Sequence, residues 1–221
     1  MTSPNTFPSR FTQIDELTRR EHNFLTDEDE CYFLGQYTPR EGFLHSTTND
    51  TIQNLKKPMD RSGTPEWKYK GLAIRICAHA FATALKAFEI DTMTFVPVPP
   101  SKIESDPLYD NRLVRMLEIA HQFCGGLDIR KCVEQTENLL PSHLREDRLT
   151  PSEIVGVYRF RKRLSRPLPT KIAIVDDVLT TGAHFKAMET KLLDQYPRVN
   201  VVGLFLARRE VPQLDQSKLF C

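Results

Sequence analysis

Lys171-Ile-Ala-Ile-Val-Asp-Asp177, running on into Val178-Leu-Thr-Thr-Gly-Ala-His184, is the stretch on which the fold turns. Ile172, Ala173, Ile174 and Val175 are consecutive and apolar, the pattern of a strand covered on both faces in a parallel sheet. Thr180-Thr181-Gly182 breaks the run, and a helix is expected from there through Leu193. A second apolar strand spans residues 199–206. Strand, turn, helix and strand within about 35 residues make a βαβ unit.

Upstream, Thr92-Met-Thr-Phe-Val-Pro-Val98 reads as a strand stopped by Pro99-Pro100. Before it, residues 66–88 read as a long helix in which Leu72, Ile76, Ala80, Ala84 and Phe88 recur beside Ile74, Phe81 and Leu85. After it, Asp110 suits the cap of a helix striped by Leu113, Met116, Leu117, Ala120 and Phe123 and ended by Cys124-Gly125-Gly126. Residues 129–135 suggest a short strand, and residues 136–151 carry no strong pattern. The expected fold class is α/β, a mostly parallel sheet flanked by helices. Residues 1–60 read as a helical or irregular N-terminal appendage, with one aromatic stretch, Cys31-Tyr-Phe-Leu-Gly-Gln-Tyr37, able to form a strand. Residues 61–221 form the main domain.

Composition limits the function. Over 221 residues, 30 Lys and Arg against 29 Asp and Glu leave a net charge of +1, which excludes a chain that is basic throughout. The balance conceals a segregation: residues 1–50 carry a net −5 and residues 142–170 a net +4, concentrated in Arg159, Arg161, Lys162, Arg163 and Arg166. That strip is the expected place for any weak nucleic-acid contact, although a solvated face is the commoner use of such a run. The five cysteines contain no Cys-x-x-Cys pair, and His121, Cys124 and Cys132 lack the fourth ligand of a structural zinc site. No apolar run approaches the roughly 20 residues of a membrane span, and the first 20 residues resemble no targeting peptide, so a cytoplasmic location without membrane contact is expected.

A parallel sheet binds its ligands beyond the carboxyl ends of its strands, which directs attention to residues 176–184. Thr180 and Thr181 offer hydroxyls, Gly182 permits close backbone approach, and the start of a helix favours an anion. Two adjacent carboxylates repel phosphate but suit the hydroxyls of a sugar attached to one. A phosphorylated sugar satisfies both halves.

Ile172-Ala-Ile-Val-Asp-Asp-Val-Leu-Thr-Thr-Gly182 resembles the phosphoribosyl pyrophosphate (PRPP) signature of type I phosphoribosyltransferases, and Val96-Pro-Val-Pro-Pro-Ser-Lys102 resembles that family's pyrophosphate loop. Within the family the likeness is greatest to ComF-like proteins, through Val96-Pro-Val-Pro99, residues 144–160 ending Val155-Gly-Val-Tyr-Arg-Phe160, and Leu206-Ala-Arg208. The resemblance implies that Asp176 and Asp177 hold the ribose hydroxyls and that Val178, Leu179, Thr180, Thr181, Gly182, Ala183 and His184 cradle the 5-phosphate. It implies that Ser101 and Lys102 face the pyrophosphate, with Mg²⁺ arriving mainly through PRPP and Asp176 and Asp177 nearest to it. Asp176, Asp177 and Lys102 would then serve catalysis, the displacement of pyrophosphate by an acceptor. A PRPP-sensing or nucleic-acid-associated module without turnover is the alternative.

Two departures from the pattern stand out. ComF-like proteins commonly carry a four-cysteine zinc module, for which Cys31 alone is insufficient, and their loop usually continues Gly-Ala-Thr where this chain has Gly182-Ala183-His184. Protonated, His184 would clamp the phosphate; neutral and bulky, it would weaken the site. Thr180 stands where purine salvage enzymes of the hypoxanthine type place an aspartate, which argues against that acceptor. Tyr158, Phe160 and Arg208 are expected to pack rather than to touch the acceptor.

Overall fold

The computed structural model describes residues 6–139, 149–161 and 167–210. Its centre is a six-stranded sheet in the order β1-β2-β8-β7-β3-β4. These strands are β1 (Thr12–Gln13), β2 (Glu30–Tyr37), β3 (Met93–Pro97), β4 (Asp128–Ile129), β7 (Lys171–Leu179) and β8 (Asn200–Arg209). Every pairing is parallel except that of the short edge strand β1 with β2. A separate ribbon pairs β5 (Val133–Gln135) with β6 (Tyr158–Phe160). The helices are α1 (Glu16–Arg19), α2 (Thr47–Leu55), α3 (Lys68–Leu85), α4 (Arg112–Cys124), α5 (Pro151–Val157) and α6 (Ala183–Leu193). The fold is thus α/β with a mostly parallel sheet. No described helix is long and apolar enough to cross a membrane.

The central strands follow from burial on both faces. Residues 172–175 of β7 are fully buried, as are Phe95 and Val96 of β3 and Leu204 and Leu206 of β8. At about 1.5–3 kcal/mol per large apolar side chain, these positions drive assembly of the sheet. Helices α2, α3 and α4 pack side by side, and α5 packs on α6. In α3 the buried face is centred on Ile74, Phe81 and Leu85, while Leu72 is 45% exposed, so the apolar stripe lies rotated from the line through Leu72. Helix α4 ends where Gly125 takes φ of 74° and its amide donates to the His121 carbonyl, a turn that side-chain-bearing residues adopt at a cost.

Two expectations require correction. The N-terminal stretch is not peripheral throughout: β2 lies inside the main sheet, in parallel register with β8 from Glu30 opposite Val202 to Tyr37 opposite Arg209. Phe11 fastens the preceding segment, packing edge-on against Phe81 and Phe88 at 5.6 Å from each ring centroid. The strand expected over residues 129–135 is divided: β4 adds to the sheet beside β3, and the chain then leaves to form β5 in the ribbon.

Candidate functional site

The chain runs from β3 through α4 to β4 on one side, and from β7 through α6 to β8 on the other, while β3 and β7 are neighbours. Connections therefore diverge between β3 and β7. Right-handed crossovers in opposite directions place α4 and α6 on opposite faces and open a crevice beyond the carboxyl ends of these two strands. Both stretches selected from the sequence end there. The register sets Pro97 opposite Val175, and the Val98 amide donates to the Val175 carbonyl at 2.9 Å. A small cleft at this point is lined by Val98, Pro100, Asn111, Arg112, Val114 and Asp176 among others.

The two aspartates differ in surroundings. Asp177, only 4% exposed, accepts from Lys56 Nζ at 3.1 Å on Oδ1 and from Arg112 Nε at 2.9 Å on Oδ2, with a second guanidinium contact from Arg112 Nη2. Burial opposes its charge, but Lys56 and Arg112 prevail and hold the carboxyl well below the ordinary range. Asp176 is half-buried, lines the cleft, and accepts from the Asp177 amide at 2.7 Å. Burial, and next the charge of Asp177, push its carboxyl upward.

Behind Asp177 the charges continue as a chain. Arg112 Nη1 donates to Asp110 Oδ2 at 2.7 Å, and the same oxygen accepts from Lys70 Nζ at 2.7 Å. Lys70 is 1% exposed and donates also to the Leu55 and Lys57 carbonyls at 2.7 and 2.9 Å, so its three protons have three acceptors. Burial lowers its pKa, with Asp110 opposing. Asp110 is not the cap expected of it: Asn111 holds that position, and Asp110, one residue earlier, accepts the Arg112 amide on Oδ1 at 3.2 Å. Lys56, Lys70 and Arg112 escaped the sequence reading. One signal was present: Lys70 falls in line with Ile74, Cys77, Phe81 and Leu85, a cation within an apolar helical stripe.

The loop after β7 is held from the N-terminal side. His22, fully buried, bonds through Nδ1 to the Thr180 carbonyl, and the Phe24 amide donates to the Thr181 carbonyl at 2.9 Å. Gly182 has φ of 86°, and a Cβ there would lie 2.9 Å from Leu25 Cδ2. Glycine is required on both counts. Val178, Leu179 and Ala183 are buried, while Thr180 and Thr181 are half-exposed and Thr181 Oγ1 accepts the Ala183 amide at 3.4 Å. His184 occupies the first turn of α6, its Nδ1 2.9 Å from the Tyr158 hydroxyl. Burial lowers its pKa to about 4, with Asp177 opposing and Lys56 assisting. The imidazole is neutral at pH 7.

Beyond Pro100 the chain passes to a second cleft, lined by Lys102, Glu104, Tyr109, Lys131 and Gln135 among others. The carbonyl of Ser101 is pinned there by the Leu139 amide at 2.8 Å and Gln135 Nε2 at 2.7 Å. Lys102 thus lies in the cleft adjoining that of Asp176, the two sharing Val98, Pro99, Pro100 and Val114. The basic strip is partly neutralised: Arg159 pairs with Glu134 at 2.6 Å, and Arg161 with Glu134 and with Glu104, the latter at 2.7 Å. Lys162, Arg163 and Arg166 lie outside the described residues. Arg208, 5% exposed, pairs with Glu21 at 2.9 Å over the ring of Phe33, and Phe160 packs edge-on against Tyr196.

Asp176 thus lines one cleft and Lys102 the cleft beside it, while the loop bearing Thr180 and Thr181 leads from the end of β7 into α6. Among the described residues no group of three or more His, Cys, Asp or Glu is placed to hold a metal. Compared with known protein-family models and with curated proteins, the chain matches none.

Proposed function

We propose that this chain is a phosphoribosyltransferase of the type I kind, binding PRPP in the crevice between β3 and β7. One observation carries the reading: residues 96–102 and 176–184, far apart in sequence, meet at the carboxyl ends of neighbouring strands where the connections diverge. Asp176 accepts the ribose hydroxyls. The amides opening α6 and the hydroxyls of Thr180 and Thr181 receive the 5-phosphate, and Lys102 faces the pyrophosphate. Asp177 acts from behind, its oxygens engaged by Lys56 and Arg112, and anchors the last part of β7, which carries Asp176.

The donor set fits Mg²⁺ only through its ligand. Asp177 has no open carboxylate edge and Asp176 offers one oxygen beyond that bonded to the Asp177 amide, whereas this ion retains waters and prefers phosphate oxygens. When bound on the pyrophosphate, Mg²⁺ offsets the charge of the leaving group. The bond from the anomeric carbon to the pyrophosphate oxygen breaks as the acceptor's bond to that carbon forms. Positive charge builds on the ribose as these bonds exchange, and Asp176, once ionised, would stabilise it.

Calorimetric titration of the full chain with PRPP and Mg²⁺ tests the reading. Binding to the wild type and its loss in Asp176→Asn are expected, with pyrophosphate release once a suitable nucleophile is supplied. Absence of PRPP binding to the folded wild type overturns the proposal. Binding without pyrophosphate release across a broad panel of nucleophiles assigns the PRPP-sensing role instead.

A further inference from the structure

Tyr158 opens β6 directly after α5, which Thr150 and Glu153 cap reciprocally and which packs on α6. Its ring is 2% exposed, and burial, reinforced by the charge of Asp176, keeps the phenol protonated far into the alkaline range. That proton has to go to an acceptor. Among the described residues the hydroxyl has one bonding partner, Nδ1 of His184 at 2.9 Å. If Nδ1 carried hydrogen and donated to the phenol oxygen, the tyrosine proton would be left buried without an acceptor.

The surroundings of the imidazole also disfavour the imidazolium. It lies in the first turn of α6, at the positive end of the helix dipole. Lys56 adds positive charge, and the charge of Asp177 is already met by Lys56 and Arg112. With Nδ1 accepting, the hydrogen of the neutral ring resides on Nε2. That atom forms no hydrogen bond among the described residues.

We infer that Tyr158 is a positioning residue: it fixes His184 as the neutral Nε2–H tautomer, so that the loop meets the phosphate of its ligand with an uncharged donor and not a cation. His184 then takes the place of a hydroxyl donor at this turn of the helix. The ligand half of this inference rests on the phosphoribosyl reading, while the tautomer half stands on the Tyr158 contact alone.

The test is ¹⁵N NMR of the full chain with labelled histidine rings at pH 7, with His184 assigned by the signal lost in His184→Gln. The wild type is expected to show hydrogen on Nε2 and a bare Nδ1, and Tyr158→Phe a mixture of both tautomers. For PRPP, His184→Gln, whose amide nitrogen reaches the position of Nε2, should bind within about threefold of the wild type, and Tyr158→Phe about three- to tenfold more weakly. An imidazolium, or a wild-type ring protonated on Nδ1 alone, overturns the role of Tyr158 even if PRPP binds. The expected tautomer without PRPP binding overturns the ligand half together with the phosphoribosyl reading. Should Tyr158→Phe not fold, the wild-type spectrum alone decides the tautomer.

Discussion

Asp176 and Asp177 are adjacent in sequence and opposite in consequence. Asn at 177 leaves the largely buried Arg112 and the half-exposed Lys56 facing a neutral side chain; Arg112 keeps Asp110, so the cost falls below the about 3–5 kcal/mol of breaking an isolated buried pair. Asp177→Asn is therefore expected to lower the urea midpoint, and Asp176→Asn to leave it unchanged or raise it slightly while removing PRPP binding. His184 gives a pH dependence of known sign. Its pKa is about 4 folded against 6.5 for the free side chain, so between these values the unfolded chain binds more protons. This contribution to stability is complete above pH 7 and lost as pH falls, by about 1–2 kcal/mol at pH 5. His22, also lowered by burial, acts in the same direction, and Asp176, raised, acts against both. Thermal unfolding from pH 7 to 5 should show a smaller loss of Tm in His184→Gln than in the wild type.

At the scale of elements, the loop after β7 depends on the segment that clasps it. His22→Ala removes a buried bond to the Thr180 carbonyl, and amides 180–184 should exchange hydrogen about tenfold faster. In β8, a Cβ at Gly203 would lie 2.7 Å from Phe205 and 2.8 Å from Cys31 Sγ. Gly203→Val should cost about 1–3 kcal/mol in denaturant unfolding. The unit of β7, α6 and β8 was legible in the sequence because uninterrupted apolar runs identify buried parallel strands without reference to anything distant. The clasp was not, since nothing local about His22 or Leu25 tells that residues near 180 lie against them. The division of residues 129–135 between sheet and ribbon was equally hidden: both pieces are short, and pairing rather than pattern decides each.

On the scale of the whole molecule, the candidate site draws on four separate elements. Lys56 follows α2, Lys70 lies in α3, Asp110 precedes and Arg112 opens α4, and Asp177 lies two residues before the end of β7. No motif spacing marks such a set, because the charges meet only after the layers have packed. Residues 176–184 and 96–102 were legible for the contrary reason, each being a compact stretch at the end of one strand. A fragment of residues 61–221 lacks β2 and Lys56, exposing one edge of β8 and leaving Asp177 with half its partners. It is expected to be insoluble or to lack a cooperative unfolding transition by circular dichroism.

The place of β8 between β2 and β7 also bears on how the protein is made. About 160 residues separate the end of β2 from the start of β8, a gap that takes on the order of ten to thirty seconds to translate. During that time β2 has emerged from the ribosome with its principal neighbour unmade, and β7 waits with one edge open. The strand that joins them appears after both, so the nascent chain is a natural client for chaperones that shield exposed strand edges.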